Sequence, residues 1–200
     1  IVSGTTEQLA VITWPDATAA TFSTGKTENL LNKHTYFASS NMNGAVDFST
    51  GEIQMDIVRV QITFEASSAG IPLTSRYFFG SEEFMEYAGS SFNDGFALTL
   101  NGVNHAELTD SLGSDSTVTI NNLACQAGYA ACPTGDLYSS DFVLASAPPE
   151  NQYFALNGYT TVLTWNANTQ AGANTLEILI YDTSASTYDN AVFIMAASLH

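Results

Sequence analysis

"IVRVQITFE", residues 57–65, decides the fold. Val58, Val60, Ile62 and Phe64 alternate with Arg59, Gln61, Thr63 and Glu65. Successive side chains of an extended chain point to opposite faces, so a period of two predicts an antiparallel strand with one face in the core. "FALTLNG" (96–102), "STVTINN" (116–122), "TTVLTW" (160–165), "LEILIYD" (176–182) and "AVFIMAASL" (191–199) also read as strands, being rich in Thr, Val, Ile, Tyr and Phe. Asn101-Gly102 is a dipeptide that closes two-residue hairpins.

Helical periodicity is weak. Only "KTENLLNKHTYF", Lys26 to Phe37 after Gly25, predicts a short helix. No alternation of strand and helix runs along the chain. The expected class is all-β: an antiparallel β-sandwich, jelly-roll-like, with long loops and at most one or two short helices. Residues 113–154 are the least regular stretch and read as an excursion from the sandwich. No repeat or linker divides the sequence, so residues 1–200 are expected to form one module. The start at Ile1, without methionine, reads as a module excised from a larger protein whose export signal lies elsewhere. No apolar run is long enough to span a bilayer.

The charge is lopsided. Asp+Glu number 20 against 4 Lys+Arg, a formal net charge of −16 and a pI near 4.1. Such a surface repels nucleic acid and anionic membranes, which excludes both as partners. Charged residues are nevertheless only 12% of the chain, about half the usual ~25%. The polar surface is therefore mostly Ser, Thr, Asn, Gln and Gly, a mixture suited to an extracellular β protein that meets divalent cations. Solubility by negative charge accounts equally for many of the scattered acids. Cys125 and Cys132 lie close enough in sequence to close a small loop, as secreted proteins often do; two free thiols are the alternative.

Acids concentrate in three places beside strand-like sequence. "SEEFMEY" carries Glu82, Glu83 and Glu86; "SFNDGF" carries Asn93 and Asp94; "YDTSASTYDNAVF" carries Asp182, Asp189 and Asn190. Aromatic or β-rich sequence flanks each, which puts these acids at the core boundary, where a bare carboxylate is costly. Arg59 and Arg76 are the only arginines and are too few to pair with them all. A hard cation fits better: calcium takes about six to eight carboxylate and amide oxygens. The metal set is Glu82, Glu83, Asn93, Asp94, Asp182, Asp189 and Asn190, with one of Glu82 and Glu83 facing the ion. The other reading is that these side chains cap turns and accept backbone N–H groups. Neither an EF-hand loop nor a glycine-aspartate nonapeptide repeat is present. Candidate ligand contacts are Ser90, Ser91, Tyr87, Tyr181 and Tyr188, with Phe92 also among the aromatics near the acids.

Enzyme chemistry finds little support. Glu82 and Glu83 are adjacent, and neighbours on a strand point to opposite faces, so they would not flank one glycosidic bond. His34, His105 and His200 are scattered, with His105 expected at the surface. No G-x-S-x-G or H-E-x-x-H motif occurs. The expectation is a binding module and not an enzyme.

"FGSEEFMEYAGSSFNDGFALTLNG" (79–102) resembles the signature block of the bacterial choice-of-anchor L domain, of the form F-x-SEE-[YF]-x-EY followed by FND-x-F. "VTINN", "NGYTTVL" and "NTLEILIYDTSASTYDNAVFI" follow in that family's order, and the resemblance runs from about Phe64 to the end. It implies a β-sandwich module of secreted or cell-anchored bacterial proteins, without fixing one activity. More narrowly, the chain is similar in size and acidity to the calcium-dependent peptide-binding domain of RTX-type adhesins. That similarity implies a bound Ca2+ that helps grip the C-terminal end of a peptide. The partners implied are peptide termini, or alternatively glycans, on host or neighbouring-cell surfaces, met by a monomeric module within a long multidomain chain. A purely structural calcium-stabilised spacer is the second reading.

Overall fold

The computed structural model describes residues 54–110, 112–130, 132, 135–145, 156–184 and 187–195. It also gives the backbone of 2–3, 9–14, 17–23 and 45–47. The elements are β1 (Val2–Ser3), β2 (Leu9–Trp14), β3 (Ala17–Ser23), β4 (Ala45–Asp47), β5 (Gln54–Ala66), β6 (Pro72–Ser81), β7 (Gly95–Leu100), β8 (Val103–Asn104), β9 (Glu107–Thr109) and β10 (Asp115–Thr119). There follow α1 (Ile120–Leu123), β11 (Ala124–Cys125), β12 (Leu137–Tyr138), β13 (Phe142–Leu144), β14 (Gly158–Thr160), β15 (Leu163–Asn168), β16 (Gly172–Thr183) and β17 (Asn190–Met195).

These strands build an all-β antiparallel sandwich. One sheet runs β1-β5-β16-β7-β10-β9, with β4 on β5 and β8 on β7. The other runs β13-β14-β6-β17-β3-β2, with β15 on β6. β11 and β12 form a separate ribbon. The chain changes sheets from β5 to β6, from β6 to β7, from β15 to β16 and from β16 to β17, so successive strands face each other across the core. Trp165, Tyr77, Phe79, Phe96 and Ile180 are fully buried there. The indole Nε1 of Trp165, on β15, donates to the Leu98 carbonyl of β7 at 2.8 Å, a polar tie from one sheet to the other.

Residues 57–65 lie in β5, with Val58 buried and Val60 and Phe64 packed against the core. Ile62 departs from the expectation and is 45% exposed. Beyond Val60 the only described strand paired with β5 is β16, so this position sits at the sheet margin. The Asn101-Gly102 turn is as expected: both residues have positive φ, 53° and 82°, and Leu100 pairs with Val103. "STVTINN" is not one strand. It stops at Thr119, whose hydroxyl accepts from Asn122 N at 3.4 Å and caps the single turn of α1. "TTVLTW" is split between β14 and β15 because Thr161 N donates out to the Asp141 carbonyl at 2.7 Å. Residues 196–199 of the last expected strand, and the expected helix at 26–37, lie outside the described residues. His105 is half-buried, with its ring edge-on to Trp165 at 6.1 Å.

Gly158 lets β14 approach its neighbours. A Cβ there would stand 2.6 Å from Phe142 Cε2 and 2.8 Å from Phe84 Cδ2. Gly158→Ala is expected to cost about 1–3 kcal/mol in a denaturant titration, because two packed rings must shift. An unchanged midpoint would show that this corner has slack.

Candidate functional site

Four strand ends meet at one end of the sandwich. The exit of β6 and the entry of β17 lie side by side, with Ser81 paired to Asn190 and Glu82 N donating to the Asp189 carbonyl at 3.2 Å. The exit of β16 and the entry of β7 also lie side by side, with Tyr181 paired to Gly95. Thr183 joins them: its N–H donates to Asp94 Oδ1 at 2.7 Å and its hydroxyl to the Asn93 carbonyl at 3.1 Å. Asn190 Nδ2 donates to the Tyr181 carbonyl at 3.0 Å and to Asp182 Oδ1 at 2.9 Å. Acids from sequence blocks nearly a hundred residues apart are thereby gathered at the same edge of the core.

Glu82, Glu83, Asp94, Asp182, Asp189 and Asn190 are all buried there. At this end of the sandwich two oxygens stand out: Glu83 Oε2 and Asp94 Oδ2 are buried and accept no hydrogen bond. Burial first, and then the charge of Asp94, push the Glu83 carboxyl up to about 9. Burial raises Asp94 to about 7, against the lowering effect of the Thr183 N–H and the Asn190 side chain. Two coupled carboxylates, each with an open oxygen, disfavour their own ionisation. That donor chemistry fits a hard divalent cation, with Glu83 and Asp94 as the residues that would hold it. No group of three or more His, Cys, Asp and Glu side chains in a metal-holding arrangement occurs among the described residues. The two orphaned oxygens are therefore the observation on which the fit rests.

Two cavities open beside these acids. One, of about 210 Å³, is lined by Glu83, Tyr87, Phe92, Thr187 and Tyr188. The other, of about 230 Å³, is lined by Glu82, Glu86, Tyr87, Asn157 and Tyr188. Tyr87 and Tyr188 belong to both, with ring centroids 5.3 Å apart, and form the partition. Phe92 stands edge-on to Tyr87, also at 5.3 Å. The Tyr188 hydroxyl is raised above its ordinary range, mainly by its hydrogen bond with Tyr87, then by Tyr87's charge, with burial, Glu86 and Glu82 adding to it. Glu82 lines one cavity and Glu83 the other, although both lie past the end of β6 at Ser81, where strand alternation does not apply.

The other expected site residues are placed differently. Asn93 Oδ1 accepts from Asn121 N at 3.0 Å and braces α1. Ser90 closes a local turn, its hydroxyl accepting from Phe92 N at 3.1 Å, while Ser91 is exposed; neither lines either of these two cavities. Tyr181 lies against Gly95, where a Cβ would stand 2.5 Å from its hydroxyl, and it too lines neither cavity. Cys125 and Cys132 are joined in a disulfide, with Cα atoms 5.8 Å apart. Asn157, Thr187 and Thr183 belong to the site without any sequence signal of their own. Asn157 enters because β14 pairs with the end of β6, and its Nδ2 donates to the Glu82 carbonyl at 2.9 Å.

The family model of the choice-of-anchor L domain matches residues 11–200. The match begins well before Phe64, where the motif resemblance starts, and so takes in most of β2 and all of β3 to β5. No curated protein matches the chain.

Proposed function

Because the chain belongs to the choice-of-anchor L domain family, a family found in bacterial surface and extracellular proteins, we propose that it is a calcium-dependent adhesion module. In this reading it binds a ligand and catalyses nothing. Glu83 and Asp94 hold Ca2+, with Asp182, Asp189 and Asn190 gathered around them. The ligand is the C-terminal carboxylate end of a peptide. The observation that carries the proposal is the pair of buried, unpartnered oxygens beside a cavity walled by Tyr87, Phe92 and Tyr188.

The chemistry follows from charge. A net charge of −16 repels a carboxylate ligand, so a cation must stand between the ligand and the Glu83–Asp94 pair. Calcium supplies that positive charge and its remaining coordination positions. The tyrosine and phenylalanine rings supply apolar walls for the last side chains of the peptide, and the Tyr188 and Tyr87 hydroxyls supply hydrogen bonds at the rim.

Peptides with a free C-terminus are expected to bind about tenfold or more tightly than their amidated forms in calcium, the scale of one charge-assisted contact. Both forms are expected to bind negligibly in EDTA. Fluorescence polarisation over a C-terminal peptide library, run beside a glycan array, makes the measurement. Equal affinity of free and amidated peptides would reject carboxylate recognition. Blanks on both supports in calcium would favour a spacer whose acids serve stability alone.

A further inference from the structure

The disulfide-closed loop lies directly behind the segment that carries the site's glutamates and Tyr87. Within the loop, Gly128 N donates to the Cys132 carbonyl at 3.1 Å and Cys132 N to the Tyr129 carbonyl at 2.9 Å. From outside it, Asp136 Oδ1 accepts from Ala127 N at 2.7 Å. Two loop residues reach the site segment. Gln126 N donates to the Ala88 carbonyl at 2.9 Å, and Tyr129 Oη donates to the Glu86 carbonyl at 3.1 Å. With its amide oriented to satisfy its donors, Gln126 Nε2 also donates to the Met85 carbonyl at 3.2 Å and the Glu86 carbonyl at 3.0 Å.

The carbonyls on both sides of Tyr87 are thus held by one small loop. Gly89 completes the contact. Its φ of +96° suits glycine, and a Cβ there would stand 3.0 Å from Tyr129 Cβ and 3.4 Å from Cys125 Sγ. Past Tyr87 and Ala88 the segment is also tied to α1, where Asn121 Oδ1 accepts from Gly89 N at 2.6 Å and Asn121 Nδ2 donates to the Ser90 carbonyl at 2.8 Å. At Met85 and Glu86 the loop is the brace, the segment's own bonds being single-turn contacts such as Ser90 N to the Tyr87 carbonyl at 2.9 Å. Neither Gln126 nor Tyr129 lines either of the two cavities described above.

We propose that Gln126 and Tyr129 are positioning residues, and that the Cys125–Cys132 disulfide makes their loop a clasp that sets the affinity of the Glu83–Tyr87 wall for its cation. The proposal rests on the functional reading above. Without the clasp, residues 85–90 sample more conformations, and the cation site must be reordered at each binding event. The disulfide's part is to limit the loop's freedom, and both sulfurs are buried against casual reduction.

The test uses the full chain and a Gln126→Ala/Tyr129→Phe double variant, which leaves the Tyr129 ring against Gly89. Amide hydrogen exchange is measured in EDTA, and Tb3+ affinity is followed by tyrosine-sensitised luminescence. Exchange at Tyr87, Ala88 and Ser90 is expected to rise about tenfold, the scale of losing one or two hydrogen bonds, while β6 and β16 stay unchanged. Tb3+ affinity is expected to fall by a similar factor. A Cys125→Ser/Cys132→Ser variant should move both readouts the same way. Unchanged exchange at residues 87–90 overturns the clasp, and so does faster exchange with unaltered Tb3+ affinity. A wild-type chain that binds neither Tb3+ nor Ca2+ overturns the functional reading instead, with the exchange data still deciding whether the loop holds the segment.

Discussion

Chelating calcium at pH 8 is expected to lower the unfolding free energy by about 4 kcal/mol, when the comparison is made against free calcium at about 1,000 times its dissociation constant. The effect should nearly vanish at pH 5. Glu83 is raised from 4.5 to about 9 and Asp94 from 3.8 to about 7, in both cases chiefly by burial. The calcium-free native state therefore holds more protons than the unfolded chain across that window. Stability from these groups is complete below their unfolded values, near pH 4, and is lost as pH rises through 7 and then 9. Calcium reverses the trend, because its ligands must be deprotonated and its binding tightens as pH rises. Urea titrations at pH 5 and pH 8, each with calcium and with EDTA, measure the four corners. An EDTA effect of equal size at both pH values would remove the Glu83–Asp94 pair as the cation site, and none at pH 8 would remove calcium altogether.

What the sequence reveals and hides follows from how local each cause is. The period of two in residues 57–65 and the Asn101-Gly102 turn are local, and both survive folding. The exposure of Ile62 is not local, since it depends on which strand lies beside β5 past Val60. Thr119 misleads because "STVTI" suits a strand, whereas a threonine hydroxyl bonding three residues ahead starts a helical turn. The acids are legible because a carboxylate framed by core residues needs a partner wherever it sits. Their company is less so: Asn157 arrives through the pairing of β14 with the end of β6, which no spacing announces.

Tyr181 is placed by a different kind of cause. It adjoins Asp182 in sequence, and nearness to the acids made it a ligand candidate. Along β16, Leu176, Ile178, Ile180 and Asp182 are buried while Glu177, Leu179 and Tyr181 are half-buried. The alternation that defines the strand thus sends Tyr181 away from its neighbour, onto Gly95. Tyr87 and Tyr188 sit on turns, where that alternation does not apply, and tertiary packing brings them together at the acids.

Asp94→Asn is expected to act in opposite directions with and without calcium. The amide keeps an oxygen to accept the Thr183 N–H that Asp94 Oδ1 now accepts at 2.7 Å, and it removes a charge that is fully buried. In EDTA at pH 8 the variant should therefore be more stable than the parent by roughly 1–3 kcal/mol, the cost of a buried group with an unmet oxygen. Relief should extend to Glu83, which loses the neighbouring charge that helps to raise it. In calcium the same variant should lose most of the roughly 4 kcal/mol that the ion contributes to the parent. Asp94→Ala shares the second effect but also strands the Thr183 N–H, so it should destabilise in EDTA. Glu107→Ala, at the exposed first position of β9, should change neither value. Calorimetry and urea titration of the three variants separate the cases. A common shift of all three in calcium would point to bulk negative charge, whereas a crossing of the Asp94→Asn and parent curves between EDTA and calcium is the mark of a buried carboxylate that exists to meet a cation.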